Sequence, residues 1–145
     1  NNGINVTLSD FPTTLTIECR RVQISQVLIN ILNNAFAAVL GHPEKSVKLH
    51  VHDSGDMVEI SISNSGPQIP PELAHKIFQP FFTTKGVGKG TGLGLSISKG
   101  LIENHGGDIS LDLSAPETRF VIVLPKRQRR KTDEPSPGDS SKSPQ

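Results

Sequence analysis

Cysteine is almost absent. The 145-residue chain carries one, Cys19, so it can form neither an internal disulfide nor an all-cysteine zinc site, and nothing in it argues for an oxidising compartment. Long apolar runs are missing as well: none approaches the roughly 18 residues of a membrane span. The opening Asn1-Asn2-Gly3-Ile4-Asn5 has neither the basic nor the apolar stretch of a secretion signal. It also lacks an initiator methionine, which reads as a piece excised from a longer protein. Histidines are few and scattered. His50 and His52 share one face of a strand with no third ligand in view, and no Ser/His/Asp set with a local catalytic signature is present. A large excess of one charge is lacking too. The formal net charge is +1, but six basic and three acidic residues lie from Lys126 onward. Residues 1–125 hold nine basic and eleven acidic residues, a net of −2. A mildly acidic body does not suit nucleic-acid binding through its overall field.

What remains fits one domain, and a chain of this length buries roughly 70% of its unfolded surface without a staple. Residues 126–145 contain no aliphatic or aromatic residue, but three prolines and four serines. Such a segment has nothing to bury and is expected to be disordered. Its basic cluster, Lys126-Arg127-Gln128-Arg129-Arg130-Lys131, reads first as a solvated tail, with phosphates or a membrane as the alternative contact. The expected division is a domain at 1–125 and a tail at 126–145.

Within the body, apolar periodicity predicts an α/β mixture. Ile4, Val6 and Leu8 alternate with polar residues as in a half-buried strand, and Leu15 and Ile17 suggest a short second one. A helix is expected from Val22 to Leu40, with Val27, Leu28, Ile31, Leu32, Ala35 and Val39 on a broad apolar face. Val47/Leu49/Val51 and Val58/Ile60/Ile62 predict two strands joined at Asp53-Ser54-Gly55-Asp56, a hairpin. A short helix is expected from Pro71. Another is expected from Gly94 to His105, stopped by Gly106-Gly107. Ile109/Leu111/Leu113 and Phe120/Ile122/Leu124 predict two final strands. The simplest packing of this order is α+β: a mixed, mostly antiparallel sheet with helices on one face.

Four segments carry possible chemistry. Gln26, Asn30 and Asn34 stand four apart on the long helix, with Asn33 beside them. Asparagine is a poor helix-interior residue, so the row is either a solvent-facing polar stripe or a set of amide oxygens for a hard cation or phosphates. Asn64-Ser65-Gly66-Pro67-Gln68-Ile69-Pro70 follows a strand; taken alone it is a turn. Gly86, Gly88, Gly90, Gly92 and Gly94 crowd a stretch that leads into a helix whose N-terminus is suited to an anion. That stretch is a phosphate cradle or simply a flexible loop; its spacing is neither that of a P-loop nor that of a Rossmann turn. Residues 86–91 are expected to be mobile without a ligand. In Phe78-Gln79-Pro80-Phe81-Phe82-Thr83-Thr84-Lys85 the three phenylalanines are expected to pin one end of the glycine stretch to the core. Lys85 and Lys89 are either phosphate contacts or ordinary surface lysines.

In this order the four segments resemble the ATP-binding catalytic domain of bacterial sensor histidine kinases, within the GHKL ATPase superfamily. Gln26 to Ala35 resembles the N box and Asn64 to Pro70 the first glycine box. Phe78 to Lys85 resembles the F box and Gly90 to Ser96 the second glycine box. Glu103-Asn104-His105-Gly106-Gly107 and Phe120 to Pro125 are also similar, and the Thr83-Thr84-Lys85 ending is most like the nitrogen-regulation type. The likeness covers about residues 3–125. It implies a Bergerat-type two-layer sandwich binding ATP with Mg²⁺ in the cytoplasm. It assigns the metal to Asn34, with Asn30 supporting the phosphates. Gly90, Thr91, Gly92, Leu93, Gly94 and Leu95 line the nucleotide, Lys85 or Lys89 neutralises phosphate charge, and Asn64 and Gly66 lie at the base. Asn64 stands where the family carries an adenine-reading aspartate, and Gln68 where it usually has glycine.

The resemblance implies a domain that supplies the γ-phosphoryl group of ATP to a histidine on a dimerisation domain outside this sequence, with a response regulator downstream. The piece itself is expected to be monomeric, without membrane or nucleic-acid contact. The hydrolysing relatives place a glutamate four residues before the metal asparagine, and here Asn30, which cannot take a proton, stands there. The alternative is a module that keeps the fold, binds nucleotide weakly or not at all, and acts through interactions.

Overall fold

The computed structural model describes residues 3–10, 15–82 and 94–128. Five strands form one sheet in the order β1-β2-β3-β5-β4: β1 Asn5–Leu8, β2 Ser46–Ser54, β3 Met57–Asn64, β4 Asp108–Leu111 and β5 Thr118–Pro125. Among the described residues the α-helices are α1, Arg21–Val39, and α2, Gly94–Asn104. β1 runs parallel to β2, and every other pairing is antiparallel. The fold is therefore the expected α+β, with a mixed, mostly antiparallel sheet.

Strand alternation explains how the core closes. β2 and β3 form a hairpin turned at Gly55, whose φ of +83° is open to glycine at little cost, and the Asp53 carboxylate accepts the Gly55 N–H at 3.1 Å. On one face the register lines up Leu49, Ile62, Phe120 and Leu111, and beside them Val51, Ile60, Ile122 and Ile109. Ile24, Val27, Ile31, Ala35 and Val39 of α1 and Ile102 of α2 complete this core. The other face carries Lys48, His50, Glu59, Ser63 and Arg119, as the period of two requires. By length and mean hydropathy (19 residues, 1.3) α1 could cross a membrane, although no apolar run of that size was read in the sequence. Five of its apolar side chains are buried in the core, while Val22 and Ile29 are exposed.

Several local expectations fail. Leu15 and Ile17 form no strand; they pack against the core from an irregular segment. β1 is exposed along its length, with Val6 58% and Leu8 56% exposed, because it is an edge strand paired on one side only. The helix expected at Pro71 is two 3₁₀ turns, Pro71–Leu73 and Lys76–Phe78. β4 ends before Leu113, at a turn in which the Asp112 carboxylate accepts both the N–H and the hydroxyl of Ser114.

Hydrogen bonding continues beyond Pro125. The Lys126 N–H donates to the Asp56 carbonyl at 2.8 Å, and the Lys126 carbonyl accepts the Glu18 N–H at 2.7 Å. Lys126 Nζ lies 2.6 Å from Asp53. The Gln128 N–H reaches the Glu18 carboxylate and its side-chain amide reaches the His105 carbonyl. Lys126 is thus held by backbone pairing and Gln128 by side-chain hydrogen bonds, which composition cannot reveal. Residues 129–145 of the expected tail lie outside the described residues. The Lys126 ammonium, and then the Gly55 N–H, hold the Asp53 carboxyl below its usual value. A lowered native pKa adds stability above the unfolded value, and that stability is lost as pH falls through the native one. Ending the chain at Pro125 is expected to lower stability by about 1–2 kcal/mol, read as a lower urea midpoint, whereas ending it at Gln128 leaves the midpoint unchanged.

Candidate functional site

Two of the α1 amides are drawn inward. Asn30 and Asn34 are half-buried, while Gln26 and Asn33 are exposed, so the structure brings the first two together and leaves the others out. The Asn30 amide nitrogen donates to the Ser98 hydroxyl of α2 at 3.2 Å. That fixes the amide plane and leaves the Asn30 carbonyl oxygen unengaged among the described residues. The Asn34 side chain makes no hydrogen bond among the described residues. Two amide oxygens one helical turn apart are hard donors, and hard donors suit Mg²⁺ or phosphate-bound cations. Among the described residues no group of three or more His, Cys, Asp or Glu could hold a metal, so a cation here would rest on amide and ligand oxygens.

The turn after β3 packs on the same row of α1. Asn64 is 6% exposed, buried at the strand end. Its Oδ1 accepts the Gly66 N–H at 2.8 Å. Gly66 is required by space: a Cβ there would stand 2.5 Å from the Ala38 carbonyl oxygen, one helical turn beyond Asn34. Ser65 ties the turn to the start of β2, accepting the Ser46 N–H at 2.9 Å and donating to the Glu44 carbonyl. Gln68 is exposed, and its amide donates to the Pro116 carbonyl. It is held on the surface and does not crowd the turn.

α2 begins at Gly94 and runs eleven residues; Leu95 packs half-buried against the core. Lys85, Lys89, Gly90, Thr91, Gly92 and Leu93 lie outside the described residues, as does the segment 86–91. Of the phenylalanines expected to act as pins, Phe78 stacks obliquely on Phe120, with ring centres 6.0 Å apart, and Phe82 packs on the core. Phe81 does not: it is 73% exposed, with φ of +67°.

Three polar residues outside the four segments also stand at the site or beside it. Thr118 pairs with Asn64 across the sheet, is buried, and donates to the Pro67 carbonyl at 3.0 Å. A polar residue continuing the inward series Phe120, Ile122, Leu124 was the available signal. Ser98 is fully buried. Lys99 Nζ lies 2.8 Å from Asp108, 3.0 Å from the Ile109 carbonyl and 5.0 Å from the Phe78 ring centre, and its ammonium holds the Asp108 carboxyl below its usual value. A separate recess of about 650 Å³, lined by Glu18, Asp56, Met57 and Lys126 among others, lies at the other end of β3 from Asn64.

Comparison with known proteins matches residues 19–128 to the family described as histidine kinase-, DNA gyrase B- and HSP90-like ATPases. The chain is 43% identical over 109 residues to the two-component sensor PprA of Pseudomonas aeruginosa, a match covering 71% of this chain and 12% of that protein. Among solved structures it is similar to the catalytic domain of the histidine kinase ThkA, at 41% identity and a TM-score of 0.75, covering 86% of this chain and 80% of that one. It is also similar to ThkA in complex with the response regulator protein TrrA, at 38% identity and a TM-score of 0.71, covering 85% of this chain and 34% of that one.

Replacing Gly66 by alanine is expected to destabilise the domain by about 1–3 kcal/mol, the usual range for an overpacked site. Equilibrium urea unfolding of the variant beside the parent measures it.

Proposed function

The chain belongs to the family of histidine kinase-, DNA gyrase B- and HSP90-like ATPases, and we propose that it is the ATP-binding catalytic domain of a two-component sensor histidine kinase. It spans 12% of PprA, so the activity proposed is that of the parent protein: transfer of the γ-phosphoryl group of ATP to a histidine on a dimerisation domain, and onward to a response regulator. The observation that carries the reading is the half-buried Asn30–Asn34 row, with Asn30 held by Ser98 and the Asn64–Gly66 turn packed one helical turn beyond Asn34. That arrangement offers amide oxygens at one end and a buried polar pair, Asn64 and Thr118, at the other. A nucleotide has the same polarity: charged phosphates at one end, a base at the other.

The residues fit a magnesium ion. Asn34 would hold it, and Mg²⁺ when bound neutralises phosphate charge. Asn30 orients the phosphate end, and the start of α2 at Gly94 and Leu95 presents backbone N–H groups of the kind that favour anions. Gly90, Thr91, Gly92, Leu93, Lys85 and Lys89 are assigned to the phosphates by family likeness. In such transfer the protein's part is positioning and charge neutralisation. Asn30 supplies no base for water, which favours transfer over hydrolysis. No histidine of this chain stands in a phosphoacceptor motif, so the acceptor is a separate domain. The proposed setting is the cytoplasm, with the isolated piece monomeric and the basic tail free of membrane.

Asn64 supports a second reading, a module with weak nucleotide binding, because its Oδ1 already accepts the Gly66 N–H. An amide oxygen has a second lone pair, so base recognition is weakened rather than removed, and Gln68 stands clear of the site. Calorimetric titration with a non-hydrolysable ATP analogue, with and without Mg²⁺, separates the readings: Mg²⁺-dependent binding is expected, and its absence would leave the module reading. Asn34→Ala is expected to abolish the Mg²⁺-dependent component. Asn64→Asp is expected to tighten binding by about 1 kcal/mol, the charge-assisted margin, while the turn persists because the carboxylate still accepts the Gly66 N–H. An Asn64→Asp variant binding no better than the parent would remove Asn64 from the base site.

A further inference from the structure

His105 has no part in the reading above, yet two helices and the C-terminal segment meet on it. It is 4% exposed. Its Nδ1 lies 2.8 Å from the Leu101 carbonyl oxygen, one turn back on α2. Its Nε2 accepts the N–H of Arg20, the residue that precedes α1, at 3.0 Å. Its own carbonyl accepts the Gln128 amide at 2.8 Å. A carbonyl can only accept and a backbone N–H can only donate, so the two ring contacts admit one tautomer, with the proton on Nδ1. The ring is thus a directed link from the end of α2 to the start of α1.

The two helices run antiparallel where they touch. Arg20 meets His105 at one end of the contact, and Asn30 meets Ser98 at the other. With α1 held on the sheet by its buried face, these two hydrogen bonds fix the position of α2 along it at both ends of the contact. Asn30 depends on this setting, because its amide is held at 3.2 Å, near the long end of useful hydrogen-bond geometry.

We infer that His105 is a positioning residue for the nucleotide site: through Nε2 it fixes the start of α1 against α2 and so holds Asn30 on Ser98. The inference rests on the ATP-site reading of Asn30 and Asn34. It predicts that the Nε2 contact, not the ring's bulk or its Nδ1 bond, carries the effect. Asparagine places a donor near the Nδ1 position and glutamine an acceptor near the Nε2 position. In the full 145-residue chain, His105→Asn is expected to weaken Mg²⁺-ATP-analogue binding roughly fivefold, the worth of one hydrogen bond, whereas His105→Gln stays within twofold of the parent. In nucleotide-free spectra the Asn30 side-chain amide resonance moves in His105→Asn and stays in place in His105→Gln. Long-range ¹H–¹⁵N correlation on the parent reads the Nδ1–H tautomer. Equal losses in the two variants, or an unmoved Asn30 amide in His105→Asn, would overturn the inference. A parent that binds no nucleotide would defeat the ATP reading alone, and the Asn30 resonance would still decide the role of His105.

Discussion

Burial of one face of α1 against the core rows of the sheet is the interaction on which the rest of the structure depends. Ile24, Val27, Ile31, Ala35 and Val39 pack on the sheet over β3 and β2, and apolar burial of this kind is the main favourable term in folding. With that face committed, the helix cannot roll. The positions next to it around the helix, Asn30 and Asn34, are then carried to the edge of the core, half out of water, with Asn30 on Ser98 of α2. The same packing that stabilises the domain therefore aims its polar row.

Close backbone approach is the second constraint. Gly66 lies against the Ala38 carbonyl, and at Gly107 a Cβ would stand 2.0 Å from the Val123 carbonyl oxygen. Both glycines let a chain segment touch an element it must follow: the Asn64 turn along α1, and the α2–β4 corner along β5. Their residue type answers a steric demand of the fold, which need not be read as contact with a phosphate. Gly94 differs, since a Cβ there meets nothing within 4 Å among the described residues.

Polar residues close the structure where apolar contact stops. His105 joins α2 to the start of α1, and Lys126 to Gln128 bind the segment before α1 to the β2–β3 hairpin. Lys99 bonds to Asp108 and the Ile109 carbonyl beneath the Phe78 ring. These groups lie around the rim of the helix layer. Burial alone would leave the ends of α1 and α2 free there, because their terminal backbone groups lack intrahelical partners.

Local pattern in the sequence determined what period and composition encode. The α1 face, the β2–β3 hairpin, the α2 stop at Gly106-Gly107 and the four ordered motifs with their family were all legible there. Side-chain period is a property of neighbouring residues, and so it survives without a fold. Contacts between distant residues were decided only by tertiary structure. Thr118 opposite Asn64, Ser98 under Asn30, and His105 on Arg20 are separated by 54, 68 and 85 positions, and none of the three polar side chains carries a local mark of its partner. The exposure of β1 and the pairing of Lys126–Gln128 were decided in the same way, since an edge strand and a backbone-held segment differ from a covered strand and a loose tail only in what lies beside them.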